Sequence, residues 1–281
     1  MMANHNLEKY RKQVAEKIET YFEACLENRT RIRILDRFEQ GRYYALGEKL
    51  HICSEKEPCK SFACKKCCRE LKLEQVAKLL SLYTRYKRKC VKKNERRALN
   101  GKKPRVIRPW YIITVIDYKR AFTANELPEY EDIVNIRKRM YSMLYRCGFT
   151  GPIWGAFEVD YHRLCELWLP HYHLIVFPRR RNDSCIETLK QRVKKLQPNH
   201  IKEDRKARPI MVQIVRDPIE QFSYVYKLLY SEVVDVKSQR TGVLETSKQR
   251  LEELLFAKHL FWLDSATRKS ILFEFKAKGK L

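Results

Sequence analysis

Pro170-His171-Tyr172-His173-Leu174-Ile175-Val176-Phe177-Pro178 is the stretch on which the reading of this chain turns. Side chains alternate along a strand, so His171 and His173 are expected on one face and Tyr172, Leu174 and Val176 on the other. Two imidazoles spaced this way on a rigid strand can converge on a single divalent cation. The Leu-Ile-Val-Phe run that follows is what a central, buried strand needs. The plain alternative is a pair of half-buried, hydrogen-bonded histidines.

Working outward, Trp110–Tyr118 is a β-branched and aromatic run and predicts a strand. Residues 129–147 predict a helix closed by Gly148, residues 153–161 a strand, and 168–178 the histidine strand. A basic helix over 184–196 and a short strand over 210–215 follow. Asp217-Pro218 then opens a helix expected to run through Val234, with Asp as N-cap and Pro at the first helical position. The order strand, helix, strand, strand, helix, strand, helix gives an α+β class with a central antiparallel β-sheet and flanking helices.

Upstream, residues 5–45 predict a helical arm and 71–92 another helix, from apolar positions at three and four spacing. Between Lys92 and Arg108 the chain is polar and very basic and contains Asn100-Gly101 and Pro104, which marks it as a domain boundary. Four regions are expected: a helical arm (1–45), a Cys-rich module with a basic helix or linker (46–104), a core (105–232) and a helical extension (233–281). In that extension, 247–263 predicts a helix, Asp264-Ser265 a break, and 270–275 an apolar segment.

The sequence Pro-His-Tyr-His-Leu-Ile-Val-Phe resembles the histidine–hydrophobe–histidine signature of HUH endonucleases, a family that includes rolling-circle replication initiators, relaxases and single-strand transposases. The resemblance covers roughly residues 110–230 and implies an HUH or RRM-like palm. It also implies a third metal ligand. Glu158 is similar to the glutamate that several plasmid initiators carry on the strand before the histidines, with Asp160 and Asp117 as rivals. The segment Tyr224-Val225-Tyr226-Lys227 looks like the family's third motif, in which a tyrosine attacks DNA and a lysine assists at the phosphate. Tyr224 is the expected nucleophile and Lys227 its helper; Tyr226 is the alternative nucleophile, and Tyr230 lies one turn further on. Position 228 is Leu, so a tandem-tyrosine pattern is not matched and the single-tyrosine branch is implied. The resemblance implies a 5′-phosphotyrosine and a free 3′-hydroxyl, with Mg²⁺ or Mn²⁺ at the histidine pair. No third histidine stands near the pair, unlike the relaxase pattern.

The charge fits such a substrate. The chain of 281 residues carries 59 Lys and Arg against 34 Asp and Glu, a net +25. Basic side chains that neutralise phosphates release condensed counterions, so a polyanionic partner is expected, here single-stranded or origin DNA. Lys102, Lys103, Arg105 and Arg108, together with Arg179, Arg180 and Arg181, are the candidate contacts. No apolar stretch is long enough to span a membrane, and the N-terminus lacks an apolar signal core, so a cytoplasmic or nucleoid location is expected. No G-x-x-x-x-G-K-[ST] occurs, so unwinding and synthesis would come from a host helicase and polymerase.

Ten cysteines are present, five of them between Cys53 and Cys68. A local cluster of this kind reads as metal binding before disulfides. Cys53, Cys59, Cys64 and Cys67 are expected to hold a structural Zn²⁺, with Cys68 and His51 as alternatives. Lys60, Lys65, Lys66 and Arg69 in the same module are candidates for touching DNA backbone. Rolling-circle initiation on a plasmid or phage is the expected function. The alternatives are a transposase of the same chemistry and a non-catalytic, zinc-containing nucleic-acid-binding protein, which would need no His-x-His and Tyr-x-x-Lys together.

Overall fold

The computed structural model describes residues 2–38, 41–123, 126–127, 129–202, 205–228, 231–237 and 244–276. The N-terminal part is helical: α1 (Met2–Ala15), α2 (Tyr21–Leu35), α3 (Gly41–Ile52) and the long α4 (Lys65–Leu99). The arm expected over 5–45 is therefore broken into three helices. Thr20 forms a capping box with Glu23 that starts α2 afresh. The basic run from Lys92 is also corrected, because α4 continues through it to Leu99. Lys and Arg are good helix formers, so a charge run need not interrupt a helix. After the turn at Asn100-Gly101, residues 102–108 have no regular secondary structure. They fold back along α4, where Asn94 exchanges two hydrogen bonds with the Arg105 backbone (2.9 and 2.8 Å) and Arg97 Nε donates to Lys103 O at 2.9 Å.

The remainder runs β1 (Tyr111–Ile116), β2 (Phe122–Thr123), α5 (Tyr130–Arg146), β3 (Ile153–His162), β4 (Leu167–Val176), α6 (Asn182–Leu196), β5 (His200–Lys202), β6 (Arg205–Lys206), β7 (Ile210–Ile214) and α7 (Pro218–Val225). It continues through β8 (Glu232–Lys237), β9 (Leu244–Gln249), α8 (Glu253–Ser265), α9 (Arg268–Ile271) and β10 (Leu272–Phe275). The class is α+β. The main sheet has the order β7-β1-β4-β3-β8-β9. Its pairs are antiparallel except β3 with β8, which run parallel, so the sheet is mixed where a purely antiparallel one was expected. Residues 233–281 are more than helical, since β8, β9 and β10 all join this sheet.

The central strands decide which face carries what. Register pairs His171 with Glu158 and Ile116, and His173 with Ala156 and Thr114, so these side chains share a face. The opposite face turns to α5 and α6. There Tyr111 Oη donates to Asp183 of α6 at 2.5 Å, and Tyr172 meets Phe273 of β10, over which Arg137 of α5 lies. On the histidine face, the end near Trp110 is an aromatic core. Trp110 stacks on Trp154 and touches Phe177, Phe222 of α7 and Tyr83 of α4. The N-terminal helices and the sheet thus share one apolar cluster.

β3 passes so close to β4 that a Cβ on Gly155 would lie 2.1 Å from the His173 carbonyl oxygen. Backbone cannot yield cheaply to that overlap. Gly155→Ala is expected to cost about 3 kcal/mol of stability and to displace the histidine strand, which urea unfolding would measure.

Candidate metal centres and active site

The β3–β4 hairpin sets Glu158 across from His171, and pleating puts His173 beside them. His171 Nδ1 lies 3.2 Å from Leu169 O, and His173 Nδ1 lies 2.9 Å from Thr114 Oγ1. Each ring is thereby turned to aim Nε2 at Glu158, and both Nε2 atoms stand 3.3 Å from Glu158 Oε2. Such partners on the far ring nitrogen fix tautomer and orientation. A cation with bonds near 2.1 Å needs donors about 3.0 Å apart in octahedral or about 3.4 Å in tetrahedral coordination, by the geometry of those bond lengths. The observed spacing falls in that window, and the three residues can hold a metal ion. All three are buried, and Glu158 Oε1 and His173 Nε2 are buried without hydrogen-bond partners. Buried acceptors without partners, on residues whose ligand atoms cluster, fit a cation.

Burial opposes charge on Glu158, but Lys227, whose Nζ lies 2.9 Å from Oε2, and His173 outweigh it and hold the carboxyl well below its usual range. Burial also opposes charge on Lys227, yet Glu158 and Asp160 keep it well above its ordinary value. Burial lowers His173 to about 4, so its imidazole is neutral at pH 7 and able to ligate. Asp160 follows on the same face, 3.6 Å from His171 Nε2, paired with Lys248 of β9 and accepting from Ser231 N at 3.3 Å. Asp117, the other rival ligand, is turned away to Arg120 and Gln197.

The tyrosine helix differs from its expected form. Asp217 caps it through Ile219 N and Glu220 N at 3.0 and 3.1 Å, but it ends at Val225 instead of running through Val234. Leu228 adopts a left-handed φ of 44°, which turns the chain back toward β8. Tyr224 and Lys227 still meet, because Lys227 reaches in from beyond the helix end and its Nζ sits 5.0 Å from the Tyr224 ring centroid. The Tyr224 ring also lies 5.0 Å from the His173 ring and is 43% exposed. Burial, with Glu158 and Asp160, holds its phenol above the ordinary value against the pull of Lys227. Tyr226 is only 1% exposed, and burial raises its phenol strongly. Tyr230 lies outside the described residues.

The four thiols of Cys53, Cys59, Cys64 and Cys67 form a second candidate centre. Sγ separations are 3.6 Å for Cys53–Cys67, 3.7 Å for Cys59–Cys67 and 3.6 Å for Cys53–Cys64. These are too long for disulfides. They match the edge of a tetrahedron with metal–sulfur bonds of about 2.3 Å, which is about 3.8 Å. Hydrogen bonds from Cys59 and Cys67 hold the Cys64 thiol below its ordinary value, and Asn28 Nδ2 donates to Cys64 Sγ at 3.5 Å. Cys68 is buried and turned to Phe62 O, and His51 is exposed outside the group, so neither alternative joins it. The basic residues of this module are corrected too. Lys65 and Lys72 close on Glu19 at 2.9 and 2.7 Å, Arg69 donates to Glu19 O, and Lys66 bonds Cys53 O, so of the four candidates Lys60, Lys65, Lys66 and Arg69 it is Lys60 that is exposed.

Lys102, Lys103, Arg105 and Arg108 are exposed on the returning strap, and Arg179, Arg180 and Arg181 are exposed beyond the end of β4, with Arg179 over the Phe177 ring. Thr114 and Lys248 were missed from sequence. The lone polar side chain in Tyr-Ile-Ile-Thr-Val-Ile was a usable signal for the first, and only tertiary pairing reveals the second. No described helix is long and apolar enough to cross a membrane. No protein-family model, curated protein or solved structure matches the chain. Two imidazoles and a carboxylate on a sheet, beside a tyrosine and a lysine, define the site by chemistry alone.

Glu158→Gln removes one donor and the negative charge. Mn²⁺ binding, followed by titration calorimetry, is expected to weaken by at least about 100-fold. An unchanged affinity would strike Glu158 from the ligand set.

Proposed function

We propose that the chain is a single-tyrosine HUH-type nickase of single-stranded DNA, serving as a rolling-circle replication initiator of a plasmid or phage. One observation carries the reading: a half-exposed Tyr224 stands against His173 of a buried Glu158–His171–His173 set, with the Lys227 ammonium at its ring. Mg²⁺ or Mn²⁺ on that set, when bound, would polarise a phosphoryl oxygen and offset developing charge. Tyr224 Oη attacks the phosphorus of a phosphodiester. The Oη–P bond forms as the P–O3′ bond breaks, the phenol proton passes to solvent, and the 3′ oxygen takes up a proton and leaves as a hydroxyl. Lys227 steadies the phosphate as a cation and favours the phenolate. Attack by a 3′-hydroxyl on the phosphotyrosine reverses the step and rejoins DNA. Unwinding and synthesis are proposed to come from a helicase and a polymerase of the host.

The thiol cluster is proposed to hold a structural Zn²⁺. Four thiolates without an open position suit a closed, non-catalytic site. The test of the main reading is incubation with a pool of labelled single-stranded DNA and Mn²⁺. A covalent protein–DNA band that depends on the metal supports it. A chain that binds the same DNA without forming any band is a binding protein instead.

A further inference from the structure

The most charged feature outside the site is the far half of α4 with its strap. Residues 84–108 hold twelve basic side chains against one acidic, a net of +11 and close to half of the chain's +25. None of the twelve makes an ion pair among the described residues, while Lys65, Arg69 and Lys72 of the same helix are internally paired. The helix is about 50 Å long at 1.5 Å per residue, and its apolar packing ends near Tyr83 and Tyr86. Beyond that point Arg85, Arg88, Lys89, Lys92 and Arg96 recur at three and four spacing, so they form one exposed stripe. Asn94 and Arg97 face the strap, which leaves the stripe open.

We infer that this arm is a docking surface for double-stranded DNA, and that it holds the duplex flanking the segment presented to Tyr224. The strap lies along one side of α4, and the open stripe on the other presents its cations to the phosphates that border a B-DNA major groove. Single strands are held differently, by aromatic stacking platforms, and the exposed part of the arm beyond Tyr86 has no aromatic side chain. The root of the arm packs on α7 through Tyr83 and Phe222, 6.1 Å between rings, so a duplex on the arm lies beside the helix that carries Tyr224. The flanking role rests on the nickase reading; duplex binding does not.

The test uses the full chain with Arg85→Gln, Lys89→Gln, Lys92→Gln and Arg96→Gln together. Gln keeps helix propensity, and none of these positions touches the metal set or Tyr224. Binding to a labelled duplex of about two helical turns, and to one of its strands alone, is followed by anisotropy from about 50 to about 200 mM salt. The expected result is a loss of duplex affinity of at least about 30-fold, with the salt slope reduced by about 3 to 4, near 0.9 per lost phosphate contact. Single-strand affinity and the covalent band should stay within about threefold, the scatter expected for context effects away from the changed contacts. Unchanged duplex binding overturns the inference, and so does an equal loss on the single strand, which would make the arm a single-strand track. Preference for duplex RNA over duplex DNA would also overturn it. Absence of a covalent band in the parent chain refutes the nickase reading and leaves the duplex readout standing.

Discussion

Tyr224→Phe is expected to abolish the covalent DNA adduct, a fall on the order of 10³-fold or more in adduct formation, while leaving the fold and Mn²⁺ binding intact. The change removes one oxygen from a side chain that is 43% exposed, and no hydrogen bond among the described residues uses that hydroxyl. Thermal unfolding should therefore stay close to that of the parent. Tyr226→Phe should do the opposite. Its hydroxyl lies in a fully buried side chain held far from ionisation, so adduct formation should persist. A band that survives Tyr224→Phe and vanishes in Tyr226→Phe would move the nucleophile and require the 226–228 turn to open.

The second large effect concerns the thiol cluster. The purified chain is expected to carry about one zinc per molecule, the content of a single four-thiolate site, and Cys64→Ser is expected to lose it. Cys64 is buried, immediately precedes α4, and contacts Cys53 Sγ and Asn28 Nδ2. Binding energy at a structural site is folding energy. Losing even about 4 kcal/mol of it would lower the melting temperature by about 7 °C for a chain of this size. Cys68→Ser is the control: its thiol donates to Phe62 O and stands outside the cluster, so zinc content should hold. Metal analysis beside thermal unfolding decides the matter. A metal-free parent, or a Cys64→Ser chain that keeps its zinc, would leave the four sulfurs as packed thiols only.

What could be read from the sequence was local. The alternation that sets His171 and His173 on one face needs only the strand period, and Glu158 follows because a short hairpin fixes its register against His171. The C-x-x-C at Cys64–Cys67 names half of the thiol cluster, and sequence closeness supplies the rest. What escaped depends on contacts between distant segments. Tyr-Lys-Leu-Leu-Tyr has helical propensity, yet Lys227 is drawn to Glu158 and the backbone turns left-handed at Leu228. Ser247–Arg250 has helical spacing, yet residues through Gln249 pair with β8, and Lys248 reaches Asp160. Lys65 and Arg69 look like DNA contacts until Glu19, about fifty residues earlier, is seen to take an ion pair from the first and a hydrogen bond from the second. Local pattern cannot report a partner that only the fold brings near.

The most direct measurement is tandem mass spectrometry of the adduct formed with single-stranded DNA and Mn²⁺, after nuclease and protease digestion. The expected result is one modified peptide with a 5′-phosphonucleotide on Tyr224, and a released DNA fragment ending in a 3′-hydroxyl. A nucleotide on another residue, a released 3′-phosphate, or an adduct that forms equally well in Glu158→Gln with no metal added would contradict it.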